Sequence, residues 1–162
     1  NHDMWMFGYL KEQLDATIVD DELILTRNDK QFFIHHGDGL GPGDVKYKFL
    51  KSFFRSRICQ WLFARLHPNL GIGIAQRWSR HSRAATREEE RFLGEDQEWL
   101  IQYAKEELTH RHIDYFIFGH RHLPYDVAIG DNTRVVNLGE WIYHFTYAVW
   151  DGEQLILNKW TR

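Results

Sequence analysis

The sequence predicts an α/β fold, with sheet-forming stretches on both sides of a helical block, and three observations predict it. Short apolar runs rich in β-branched and aromatic residues, separated by polar or glycine turns, fall within 17–35 and again within 113–159. Between them, apolar residues recur at helical spacing from 45 to 108. At 162 residues and 43% hydrophobic content the chain can bury one core, and helices layered on sheets are how such a pattern buries it.

Residues 4–14 are apolar and aromatic and predict a helix. Short strands follow at Thr17-Ile18-Val19, 22–26 and 31–35, with polar breaks at Asp20-Asp21 and 27–30. The stretch 38–44 holds three glycines and a proline and predicts an irregular loop. From Val45 the period becomes helical. Phe49, Leu50, Phe53, Phe54, Ile58, Trp61, Leu62 and Leu66 share a face, with Lys46, Lys48, Lys51, Arg55, Arg57 and Arg65 between them. His67-Pro68-Asn69 predicts the turn that ends this helix, 70–78 a second and shorter one, and 79–91 the start of another. Residues 96–108 are amphipathic through Trp99, Leu100, Tyr103, Ala104 and Leu108. Strands are expected at 113–118, 125–129, 133–138, 143–150 and 154–159, with hairpin turns at Gly130-Asp131-Asn132 and Asp151-Gly152-Glu153.

Composition narrows the function. A formal charge of −3 argues against a generic nucleic-acid binder, which is usually basic. The single Cys59 excludes an internal disulfide and fits a reducing compartment. No apolar run approaches the length of a membrane span.

Chemistry concentrates where apolar runs end. The run Tyr115-Phe116-Ile117-Phe118 leads into Gly119-His120-Arg121-His122, and past a strand end a tight turn can aim both imidazoles into one cleft. Neutral imidazole is the commonest metal ligand. One His-x-His arises easily by chance among ten histidines, but two related fragments stand upstream, Asn1-His2-Asp3 and His35-His36-Gly37-Asp38. His35 and His36 compete for the same role, and the Gly-Asp that follows favours His36. His67, His81, His110, His112 and His144 lack such a setting and read as surface residues. Histidine nitrogens with carboxylate or amide oxygens suit Mn²⁺, Fe²⁺ or Zn²⁺ better than Ca²⁺.

In this order the three fragments resemble the last three blocks of the calcineurin-like metallophosphoesterases. That family's pattern runs Asp-x-His, Gly-Asp, Gly-Asn-His-Asp/Glu, His-Gly-Asp and Gly-His-x-His. The first two blocks are absent from the sequence, so the resemblance carries the expectation that an N-terminal part of the fold is missing. It implies the family's four-layer αββα sandwich, with core in 1–44 and 84–162 and a helical cap inserted at 45–83. It also implies a hydrolase whose two metals neutralise charge on phosphoryl oxygens and make hydroxide available at neutral pH. By that resemblance Asn1, His36 and His120 ligate one ion, expected to be Mn²⁺, and His122 ligates the other. His2 faces the scissile phosphate as acid or charge stabiliser, while Asp3 and Asp38 fix imidazole tautomer and loop geometry.

The helical stretch from Phe49 to Leu66 bears on substrate. A core-packed helix is the ordinary explanation of such a pattern, yet here one face is aromatic and the other nearly all cationic, which suits contact with acyl chains or a membrane interface. Its position is similar to that of the cap in the UDP-2,3-diacylglucosamine diphosphatases of lipid A biosynthesis, a branch of the same superfamily. Two stretches resemble that branch more closely, His36-Gly37-Asp38-x-Leu40-x-x-x-Asp44-x-x-Tyr47 and Arg134-Val135-Val136-Asn137-Leu138-Gly139-Glu140-Trp141. The resemblance implies an acylated UDP-sugar substrate and a peripheral place on the cytoplasmic face of the inner membrane. Asp44 and Tyr47 would hold the sugar-nucleotide, and Arg77, Arg80 and Ser82 would lie near the diphosphate or glucosamine. His2 stands where some members of the branch carry Arg. Two competing expectations are a soluble phosphoesterase acting on a nucleotide or phosphoprotein, and a metal-binding fragment without activity.

Overall fold

Alternation along three neighbouring strands builds the core. In β2 (Lys30–His35), Phe33 points to one side of the sheet and Phe32 and Ile34 to the other. The computed structural model describes residues 5–6, 8–41, 45–86 and 91–161, and for 45–47 and 81–86 the backbone alone. β1 (Glu22–Arg27) pairs antiparallel with β2 across Asn28-Asp29, whose φ of 48° and 60° are what a two-residue hairpin turn requires. β3 (Tyr115–Phe118) lies parallel to β2, and β5 (Thr133–Leu138) parallel to β3. β4 (Pro124–Ile129) closes the far edge antiparallel to β5, giving the order β1-β2-β3-β5-β4. β6 (Thr146–Trp150) and β7 (Leu155–Lys159) form a separate antiparallel pair.

One face of the larger sheet packs on α5 (Trp99–Glu107). Phe33, Phe116, Phe118 and Val135 meet Leu100, Ile101 and Ala104 there, all at 0% exposure. The other face sets Phe32, Tyr115 and Val136 against Leu155 and Trp150 of the smaller sheet. The described residues thus form helix, sheet and sheet layers, an α/β arrangement of the predicted class. Burying two faces of apolar side chains supplies the main driving force for folding.

The helical block departs from expectation in its breaks. Residues 45–66 form two helices, α2 (Val45–Arg55) and α3 (Arg57–Phe63), because Ser56 turns extended at ψ 120°. The Phe54 carbonyl near the break is satisfied by the Trp5 indole at 2.9 Å and the Gln60 amide at 3.0 Å. α4 (Pro68–Thr86) begins at the proline expected to sit in a turn, whose missing N–H costs nothing at a helix start. It also runs through 79–86. α1 (Tyr9–Leu14) stops at Asp15 in the left-handed region, φ 50°.

Three further expectations differ. Thr17-Ile18-Val19 pair with no strand. The helix expected from Asp96 begins only at Trp99: residues 95–97 form a turn, and Glu98 is extended at ψ 106° with its carboxylate drawn inward to Arg121. Residues 143–145 belong to a loop wound around Glu140. No described helix is long and apolar enough to cross a membrane.

Candidate active site

Strand register brings the site together. His35, Phe118 and Asn137 lie level across β2, β3 and β5, so the chain leaves all three strands at one edge through His36, Gly119-His120 and Leu138-Gly139. This is the carboxyl edge of the parallel strands, where open α/β sheets offer their ligand crevices. Period 2 also separates the competing histidines. His35 turns inward at 8% exposure, its Nδ1 accepting a hydrogen bond from the Gly37 N–H at 2.8 Å. His36 turns to the cleft, its ring centroid 5.3 Å from that of His120. Crowding by surrounding protein, with the neighbouring His120 and His35 rings acting the same way, holds the His36 imidazole below its ordinary value. A neutral ring keeps a lone pair available to a metal.

The backbone here is unusual for its residue types. Gly37 adopts φ 108°, which strains any residue with a side chain, and a Cβ on it would also stand a tight 3.2 Å from the His120 Cβ. His120 and His122 themselves adopt φ 64° and 55°. Beneath the turn, Asn137 is fully buried; its Nδ2 donates to the Gly119 carbonyl at 2.6 Å and its Oδ1 accepts from the Gly139 N–H at 3.1 Å. Asn137 therefore ties the ends of β3 and β5 together.

His36, His120 and His122 line one cleft of about 720 Å³ between the two sheets. Its walls are largely apolar, through Phe32, Ile34, Ile117, Leu138 and Trp150. Glu140 stands at the rim, where its carboxylate accepts from the N–H groups of Ile142, Tyr143 and His144 and so presents Trp141 to the opening.

Two imidazoles on one tetrahedral ion have ring centroids roughly 5 Å apart, from metal–nitrogen distances of about 2.0–2.1 Å. The 5.3 Å between His36 and His120 fits a shared ion. Among the described residues no three His, Cys, Asp or Glu converge as a metal site. Asp38 is buried, with its Oδ2 3.0 Å from the Lys51 Nζ of α2. Arg77 and Arg80 lie exposed on α4. Asn1, His2, Asp3 and Asp44 lie outside the described residues, and Tyr47 and Ser82 are described in backbone alone.

No family model matches the chain. A UDP-2,3-diacylglucosamine hydrolase of Porphyromonas gingivalis (strain ATCC BAA-308 / W83) is 36% identical over 173 aligned positions, which take in 98% of this chain. The chain belongs to the same family. It spans 66% of that relative's length.

Sequence reasoning passed over three residues that shape the site. Asn137 and Glu140 stood only inside a motif, and Arg121 stood as the spacer between two histidines. A buried arginine flanked by two cleft-facing residues is visible in sequence only once its partner is known. That partner is Glu98, fully buried at the start of α5.

Proposed function

We propose that this chain forms part of a metal-dependent hydrolase that cleaves the pyrophosphate bond of UDP-2,3-diacylglucosamine at a membrane surface. The observation that carries the reading is the pair of imidazoles, His36 and His120, at the mouth of an apolar cleft. The relative's name supports the substrate. Water adds across the bridge, one P–O bond breaks, and the products are UMP and 2,3-diacylglucosamine 1-phosphate, each with one phosphate.

Asn1, His36, His120 and His122 would hold Mn²⁺, with Fe²⁺ or Zn²⁺ as alternatives suited to the same donors. When bound, the metal supplies hydroxide at neutral pH and neutralises charge on the phosphoryl oxygens. His2 stabilises the charge that develops on the leaving phosphate, and Asp3 and Asp38 steady the loops that carry the ligands. Asp44 and Tyr47 help hold the sugar-nucleotide, and Arg77, Arg80 and Ser82 lie near the diphosphate or glucosamine.

The helical segment supports the lipid half of the reading. Residues 45–86 carry nine Lys or Arg and no Asp or Glu, whereas the other residues carry eleven against twenty-three. On that segment Phe49, Ile58, Trp61, Leu62, Leu70 and Ile72 are each more than half exposed. A surface both cationic and apolar suits acyl chains beneath anionic headgroups. Residues 45–83 would form a cap over the cleft, inserted into the layered sandwich rather than being one of its layers.

The test is UMP release from UDP-2,3-diacylglucosamine by the protein expressed from its complete gene, with Mn²⁺, beside His120→Ala. Release by the wild type and none by the variant is expected. Cleavage of a simple aryl phosphodiester without UMP release would keep the metal centre and discard the acylated UDP-sugar.

A further inference from the structure

The turn that carries the two cleft histidines is held from inside the protein. His120 and His122 both adopt left-handed backbone, which is strained for a residue with a side chain. Between them Arg121 points the opposite way and is only 7% exposed. Its guanidinium forks onto Glu98, Nε donating to Oε2 at 3.1 Å and Nη2 to Oε1 at 2.9 Å. Nη2 also donates to the Arg91 carbonyl at 3.1 Å, and Glu98 Oε1 accepts from the Leu93 N–H at 3.0 Å. Glu98 directly precedes α5, whose Leu100, Ile101 and Ala104 are fully buried in the core.

We infer that Arg121, gripped by Glu98, is the positioning residue for the divalent cations that His120 and His122, on either side of it, would each help to hold. The inference rests on the metal-site reading above. A buried ion pair is a poor stabiliser, since two apolar residues of similar volume commonly serve as well. What a planar fork adds is orientation. Once Arg121 is fixed inward, the turn must present residues 120 and 122 to the cleft. Asn137 holds the preceding Gly119 carbonyl from the other side, so the turn is fixed at two points.

The experiment is Mn²⁺ titration by calorimetry of the wild type, Arg121→Lys, Arg121→Met and the double variant Glu98→Leu with Arg121→Met. Each is assayed well below its own melting temperature, with near-UV circular dichroism reporting packing. The double variant removes both charges and so leaves no buried ion unpaired. Weakening of Mn²⁺ binding by roughly tenfold to a hundredfold is expected for Arg121→Met and the double variant, the usual scale for groups that orient metal ligands. Arg121→Lys, which keeps the charge and loses the fork, should fall between. Wild-type affinity in the folded double variant would overturn the inference and leave the metal site standing, with Arg121 merely structural. No Mn²⁺ binding by the wild type would overturn both.

Discussion

Two amphipathic helical regions of this chain meet different fates. α5 buries Leu100, Ile101 and Ala104 completely against the sheet, and its charges are of both signs. The segment from α2 to α4 has comparable apolar spacing, yet Phe49, Ile58, Trp61 and Leu62 stand 75%, 72%, 54% and 55% exposed. Its internal order comes from a small aromatic cluster, in which the Trp5 ring lies 5.1 Å from Phe63 and the Phe54 ring 5.9 Å from Trp78. An apolar stripe shows only that a face wants cover. The charges beside it, nine cations without one acid, are the ground on which an anionic surface is proposed as the cover.

The largest effect should separate the two regions by stability. Phe116→Ala empties a site of 0% exposure in the core and is expected to cost about 3–5 kcal/mol in urea unfolding. Trp61→Ala, on the exposed segment, should cost less than about 0.5 kcal/mol. Comparable losses would show that the helical segment packs as a core does, and the contrast would collapse.

The next effect sharpens the contrast by charge. Reversing Lys48, Arg57 and Arg65 to Glu should weaken partition to vesicles of phosphatidylglycerol and phosphatidylethanolamine by at least about 3 kcal/mol, near 1 kcal/mol per cation lost. Sedimentation measures the bound fraction, and vesicles of neutral lipid serve as the control. Equal partition by wild type and variant would assign the cations to another partner.

The sheet was legible in sequence because alternation and turn chemistry agree at every strand from β1 to β5. The Asn28-Asp29 turn and the Gly119 exit both fell where the residues required. Thr17-Ile18-Val19 misled because strand propensity creates no strand without a neighbour to pair with. The break at Ser56 was hidden because its compensation comes from Trp5, far away in sequence. At the site, the choice between His35 and His36 follows from period 2 once the sheet's two faces are known. Arg121 and Asn137 could not be assigned, since a hydrogen bond to a residue distant in sequence leaves no local pattern.

The smallest effect concerns a third apolar region, the loop bearing Trp141, Ile142 and Tyr143, which are 58%, 70% and 78% exposed. Unlike the helical segment, it is wound around a single carboxylate. Burial opposes ionisation of Glu140, but the N–H groups of His144, Ile142 and Tyr143, with the His144 side chain, hold its carboxyl down to about 2 from an ordinary 4.5. A folded-state value below the unfolded one means stability that is full above about pH 4.5 and is lost as pH falls toward 2. Glu140→Gln should therefore cost about 1–2 kcal/mol at pH 6, the scale of hydrogen bonds to a charged group. The gap between variant and wild type should close through that acid window in unfolding followed at several pH values. A gap that stays constant down to pH 2 would mean that the loop is held by its aromatic contacts instead, Trp141 with Phe145 and Tyr147, each 6.4 Å between ring centroids. The exposed loop and the exposed helices would then be held by the same means.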